Sequence, residues 1–200
     1  MKLLQELSEE VQVITEESNG KKSLFIEGVF LQCIPNRNGR IYPEEIMHKE
    51  VARYLKEAVK TNRAMGELGH PPNPQINLDR VSHKIESLRV EGKNIIGKAK
   101  ILETNMGNVA RGLIEGGVQL GVSSRGLGSL KEIKEGLKEV QSDFKLVTAA
   151  DIVSDPSAPD AWVQGIMEGA EWVMEMGNWV PKFANDAKAQ INSAASSVDK

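Results

Sequence analysis

Three short stretches of the chain carry residue types that can perform acyl transfer. In the first, Ala64-Met65-Gly66-Glu67-Leu68-Gly69-His70-Pro71-Pro72, two glycines and two prolines fix an unusual backbone path around one titratable ring, His70. The second is Gly121-Val122-Ser123-Ser124-Arg125-Gly126. A serine is a weak nucleophile until a base removes its proton and N–H groups receive the oxyanion. Gly121 and Gly126 permit the close backbone approach such a site needs, although Ser/Gly turns of this composition are common. The third, Ala150-Asp151-Ile152-Val153-Ser154-Asp155-Pro156-Ser157-Ala158-Pro159-Asp160, embeds Asp151 in an apolar strand. An unpaired carboxylate is costly to bury there, so Asp151 needs a partner, and a histidine N–H is one candidate. Asp155 and Asp160 read as loop and helix-cap residues. Of the other histidines, His48 sits beside Lys49 and Glu50 as a solvated surface residue, and His83, between Ser82 and Lys84, reads as structural. No histidine has the spacing of a metal site.

The elements that must position these residues follow from local pattern. Residues 1–19 form a polar, acidic arm with some helical character, ending at Asn19-Gly20. Residues 23–34 are rich in β-formers and interrupted by Gly28, which predicts a strand with a bend or bulge. A turn follows over 35–40, then a helix from Pro43 to about Thr61, with Glu44 and Glu45 in its first turn and Met47, Val51, Tyr54, Leu55 and Val59 on one stripe. The proline-rich stretch 71–78 is a structured loop. Strands 82–90 and 95–102 flank Glu91-Gly92-Lys93-Asn94 as a hairpin. A short helix over 104–115 is stopped by Gly116-Gly117. Strands are expected at 118–124 and 145–153, and residues 130–143 fit either a helix, by their Lys/Glu content, or a hairpin, by Gly136. A helix is predicted over 160–176. From Asn178 onward an Ala/Ser-rich tail reads as a separate, loosely attached segment. The resulting organisation is an arm (1–19), a main domain (20–177) and a tail (178–200). Strands without a strict βαβ rhythm argue for an α+β fold with a mainly antiparallel sheet or small barrel.

Composition narrows the function. A net charge of −3, with no run of four basic residues, argues against nucleic-acid binding. The single cysteine, Cys33, excludes an internal disulfide and a cysteine-based zinc site, and it reads as a small core residue in Phe30-Leu31-Gln32-Cys33-Ile34. No apolar run has the length of a signal peptide core or a membrane span, so a soluble, intracellular protein with no membrane partner is expected.

Taken together and in order, these pieces resemble the prohead core proteases of myovirus-type tailed phages. The residues that carry the likeness are Asn36-Arg37-Asn38-Gly39-Arg40-Ile41-Tyr42-Pro43, Gly66-Glu67-Leu68-Gly69-His70-Pro71, Ile76-Asn77-Leu78-Asp79-Arg80-Val81, Gly121-Val122-Ser123-Ser124-Arg125-Gly126 and Asp155-Pro156-Ser157-Ala158-Pro159-Asp160-Ala161. The likeness spans about residues 20–165, and the group is similar in fold to the herpesvirus assemblins, an antiparallel β-barrel wrapped by helices. It implies a Ser/His endopeptidase acting in the host cytoplasm inside the assembling prohead, cleaving scaffold and capsid proteins and then itself, without cofactor or metal, and working as a homo-oligomer.

The resemblance also assigns roles. His70 takes the place of the general base. Ser124 is preferred over Ser123 as nucleophile, because Ser124-Arg125-Gly126 satisfies a Ser-x-Gly pattern of related viral proteases. With no histidine after Ser124, an acid is required as third member: Asp151 is the choice, with Asp155 and Asp79 as rivals. The backbone N–H groups of Arg125 and Gly126 are the expected oxyanion donors. A family preference for cleavage after Glu, with Leu or Ile two residues earlier and a small residue following, fits three sites here: Glu115, Glu135 and Glu168. Glu168 is expected to be cut first because it lies ahead of the tail. The competing readings are a non-catalytic prohead core scaffold protein with the same fold and a phage tube or sheath subunit.

Overall fold

The computed structural model describes residues 1–8, 11–18, 21–118, 120–154, 170–175 and 178–183. In chain order the strands are β1 (Lys2–Ser8), β2 (Val11–Ser18), β3 (Lys21–Gln32), β4 (Arg40–Ile41), β5 (Met65–Glu67), β6 (Val81–Glu91), β7 (Asn94–Ile101), β8 (Gly121–Gly128), β9 (Leu130–Lys134), β10 (Leu137–Val140), β11 (Lys145–Val153), β12 (Ala170–Glu175) and β13 (Asn178–Phe183). Helix α1 (Glu44–Tyr54) follows β4 and continues into a wider π-helical turn, Leu55–Val59; helix α2 (Asn105–Glu115) follows β7.

The architecture is α+β, with antiparallel sheets and few helices. A five-stranded sheet has the order β2-β3-β7-β6-β5, and a three-stranded sheet has the order β1-β8-β11. Two smaller sheets are β4-β10-β9, whose β4–β10 pair is parallel, and β12-β13. Among the described residues no sheet closes on itself, so the antiparallel strands form separate sheets and not a closed barrel. The two main sheets meet where Leu68, just after β5, makes a single bridge to Ile152 of β11.

The core lies under β3 and β7 and against α1. Strand β7 alternates buried and half-buried positions, placing Ile95, Ala99 and Ile101 inside. Strand β3 cannot keep strict alternation: a register shift between Val29 and Leu31 lets Val29, Phe30 and Leu31 all be buried. Phe30 then lies over Gly97, where an added Cβ would come within 2.1 Å of the ring. Helix α1 buries Met47, Val51 and Tyr54, as its stripe predicts. Its buried Glu50 accepts a hydrogen bond from the Leu146 N–H at 2.7 Å and one from Arg53, tying α1 to β11. Cys33 is buried in the core, and that burial, reinforced by Glu44, pushes its thiol up to about 11. For α2, Thr104 caps the first turn by accepting from the Gly107 N–H at 3.0 Å.

Two sequence expectations change, and one left open is resolved. The helical character expected in 1–19 is replaced by β1 and β2, which pair with β8 and β3. Val11, Val13 and Thr15 alternate as a strand does, but the acidic residues around them mask the pattern. Of the helix expected over 160–176, residues 170–175 form strand β12, paired with β13; residues 155–169 lie outside the described residues. Trp172, Val173, Trp179 and Val180 favour the pleated pairing over the helix. The choice left open at 130–143 resolves as the β9–β10 hairpin, turned by Gly136 at φ +74°. The Lys and Glu residues there lie mainly on exposed strand positions.

Candidate active site

Strand β8 is the middle strand of its sheet, and consecutive side chains on a strand point to opposite faces. Ser123 and Ser124 therefore cannot both face the same partner. Ser123 is the one that meets His70: its hydroxyl donates to His70 Nε2 at 3.0 Å. The preference for Ser124 from the Ser-x-Gly pattern is thus not matched by the geometry. Ser124 is also buried, but on the other face of the strand.

His70 reaches this position because of the turn before it. Leu68 N–H donates to the Arg80 carbonyl, and Gly69 N–H donates to the Ile152 carbonyl at 2.7 Å, which carries the chain from β5 across to β11. Gly69 sits at φ +81°, a region that disfavours side chains, and an added Cβ would lie 2.7 Å from Arg80 Nη2. Gly69→Ala is expected to cost about 1–2 kcal/mol of stability and to reduce turnover by displacing His70. Thermal unfolding together with peptide-cleavage rates checks this; unchanged turnover would show that the turn does not set the imidazole position.

His70 Nδ1 lies 3.0 Å from Asp151 Oδ2. Asp151 is fully buried. Burial alone would raise its carboxyl, but the hydrogen bond from His70, the charge of Arg125 and the Glu67 N–H outweigh this and hold it below the usual carboxylate value. An ionised carboxylate only accepts, so the imidazole proton sits on Nδ1 and Nε2 is left to accept from Ser123. That is the polarity a general base requires.

A bulge makes this possible. Arg125 lies opposite Thr148 and Ser123 lies opposite Asp151, so Ala149 and Ala150 share the space across from Ser124. In regular register Ala150 would face Ser123. The bulge is braced from the five-stranded sheet: His83 Nε2 donates to the Ala150 carbonyl at 2.8 Å, while Ser82 Oγ donates to His83 Nδ1 at 2.9 Å. Burial lowers the His83 pKa, which favours the neutral ring, and its hydrogen bonds give it a structural place. Gly66 is required beneath it, since a Cβ there would stand 2.1 Å from His83 Nε2.

The remaining expected residues fall elsewhere. Asp79 is exposed on the short 3-10 turn Leu78–Arg80, and Asp155 lies outside the described residues, as does Glu168. Glu115 ends α2 and Glu135 lies in the β9–β10 turn, both exposed. His48 on α1 is half-buried, with no hydrogen-bond partner for Nε2. Arg125 and Gly126 are in register with β1 on one side and β11 on the other. Among the described residues, no cluster of three or more His, Cys, Asp or Glu side chains could hold a metal ion. Sequence reasoning did not single out the side chains of Glu67 and Arg125, both fully buried against Asp151. The available signal was a carboxylate three residues before His70 in an otherwise apolar and glycine segment.

Comparison with known proteins places this chain in a lineage. The family model described as prohead core protein serine protease matches residues 7–171. A prohead core protein protease of Enterobacteria phage T4 is 42% identical over 151 residues, covering 72% of this chain and 69% of the relative. The solved structure of the bacteriophage T4 capsid assembly protease superimposes with a TM-score of 0.74 at 36% identity, covering 78% of this chain and 98% of that one. With the family match running from residue 7 to residue 171 and a relative 42% identical over 151 residues, the chain belongs to the prohead core protein serine protease family.

Proposed function

We propose that this chain is the endopeptidase of a phage prohead core, cleaving scaffold and capsid proteins by acyl transfer through Ser123, His70 and Asp151. The observation that carries the reading is the unbroken line of hydrogen bonds from the Ser123 hydroxyl through both imidazole nitrogens to Asp151. His70 takes the Ser123 proton during attack on the scissile carbonyl and returns it to the leaving amine; Asp151 holds the tautomer and stabilises the imidazolium. A water then repeats the sequence to release the acyl group, so no cofactor or metal takes part. Similarity to a capsid assembly protease supports phage capsid-related substrates and action inside the assembling prohead. The site itself has no bearing on homo-oligomer formation, which stays part of the proposal from family likeness alone.

The oxyanion donors come from β8. N–H groups of successive strand residues point to opposite edges, and β1 and β11 cover both edges here. Of Arg125 and Gly126, the one facing β1 is therefore the donor that becomes free when an extended substrate takes the place of β1 on β8.

Cleavage after Glu in Leu/Ile-x-Glu sequences extends to the chain itself. Glu115 closes a helix whose loss precedes the nucleophile strand, and Glu135 lies in a hairpin turn. Glu168 precedes the tail and is proposed as the first site. Intact-mass analysis during incubation is expected to show a first product ending at Glu168, and Glu168→Gln to suppress it. A first cut elsewhere would overturn this order. An unchanged mass, alone and with scaffold protein, would favour the non-catalytic scaffold reading.

A further inference from the structure

Beneath the site, one guanidinium serves two carboxylates. Glu67 of β5, Arg125 of β8 and Asp151 of β11 are all fully buried. Arg125 Nε donates to Asp151 Oδ2 at 2.8 Å, and Nη2 donates to Asp151 Oδ1 at 3.2 Å and to Glu67 Oε2. The remaining nitrogen, Nη1, donates to the Asn73 carbonyl at 2.5 Å, with the Gln75 carbonyl at 3.4 Å, in the loop that follows His70. Glu67 is itself held: Oε1 accepts from the Asn77 N–H at 3.1 Å, and its own N–H donates to Asp151 Oδ1 at 2.9 Å.

The count of charges matters. Arg125 paired with Asp151 alone would make a neutral couple, leaving little negative charge to stabilise an imidazolium. With Glu67 added, the buried group carries one net negative charge, which protonation of His70 cancels. We propose that Glu67 and Arg125 are positioning residues for the His70–Asp151 pair: Arg125 fixes the Asp151 carboxylate and the His70 loop in place, and Glu67 shares the guanidinium so that Asp151 keeps its charge for His70. This rests on reading Ser123, His70 and Asp151 as the catalytic line. The charged and titratable groups around the pair are Glu67, Arg125 and Asp151 themselves, with Arg80 on the 3-10 turn, His83 on β6 and Tyr54 on α1. Of these, only Glu67 adds negative charge to that of Asp151.

The test is the pH dependence of kcat/KM for a Leu-x-Glu peptide, measured on full-length variants. Glu67→Gln removes one negative charge and keeps the side-chain size, leaving one acceptor for the two donors, Asn77 N–H and Arg125 Nη2. The acid limb of the profile is expected to move to lower pH by about one unit. The plateau is expected to fall about tenfold, because the transition state loses the same stabilisation of the imidazolium. The double variant Glu67→Gln/Arg125→Met restores the net charge, so its limb returns to the wild-type pH while kcat stays low from lost positioning. A folded Glu67→Gln protein with an unmoved acid limb overturns the proposal. Should Glu67→Gln not fold, the double variant decides alone: a wild-type limb with reduced kcat supports the proposal, and wild-type kcat overturns it. Ser123→Ala run alongside separates the two levels. Turnover surviving in Ser123→Ala sinks the catalytic line itself, whereas a dead Ser123→Ala with an unmoved Glu67→Gln limb sinks only the positioning role.

Discussion

Ser123→Ala is expected to lose peptide cleavage on the order of 10⁴-fold or more, and Ser124→Ala to stay within a few-fold of the wild type. The contrast follows from strand geometry: only Ser123 donates to His70 Nε2, and its neighbour lies on the opposite face of β8. Base and nucleophile act as one unit, so His70→Ala should be as damaging, and adding Ser123→Ala to it should cost little more. Stability should move by no more than about 1 kcal/mol in Ser123→Ala, since a single hydroxyl hydrogen bond is lost. Initial rates and thermal unfolding of the four variants and the wild type check this. Equal losses in both serine variants, or a dead Ser124→Ala, would contradict the assignment.

Asp151→Asn carries the second large effect, about 10³–10⁴-fold in turnover. The carboxylate accepts on both oxygens, from the Glu67 N–H and Arg125 Nη2 on one and from His70 and Arg125 Nε on the other. An amide offers one acceptor where the site needs two. Placing its NH2 toward His70 favours the tautomer with the proton on Nε2, which cannot accept from Ser123. The same substitution has a signature in stability. The Asp151 carboxyl is held below its ordinary value of about 3.9. Its contribution is therefore present above that value and is lost as pH falls through the folded-state value. Asp151→Asn should be less stable than the wild type at neutral pH, and the gap should narrow below about pH 4. A gap that is constant with pH would show that the carboxylate charge contributes nothing to folding.

Much of this was legible in the sequence, for identifiable reasons. His70 stands out because glycine and proline around one imidazole have few other uses, and Asp151 because an apolar strand does not carry a lone carboxylate. The choice between Ser123 and Ser124 was not legible. It depends on which face of β8 meets His70, and the pairing with Asp151 passes through a bulge at Ala149 and Ala150 that is braced by His83 from another sheet. Local pattern contains no trace of such a bulge. The strands at 1–18 were hidden for a related reason, since their charged residues read as a solvated arm until β3 and β8 supply the partners. Glu67 escaped because a buried acid in a three-residue strand is explained only by Arg125, fifty-eight positions away in the chain.

The central claim, that Ser123 is activated by His70 for acyl transfer, is tested most directly by locating the modified residue after treatment with a serine-directed fluorophosphonate. Peptide mapping by mass spectrometry is expected to find the adduct on Ser123 in the wild type and on no serine in His70→Ala. An adduct on Ser124, or none at all in a preparation that cleaves Leu-x-Glu peptides, would contradict the claim.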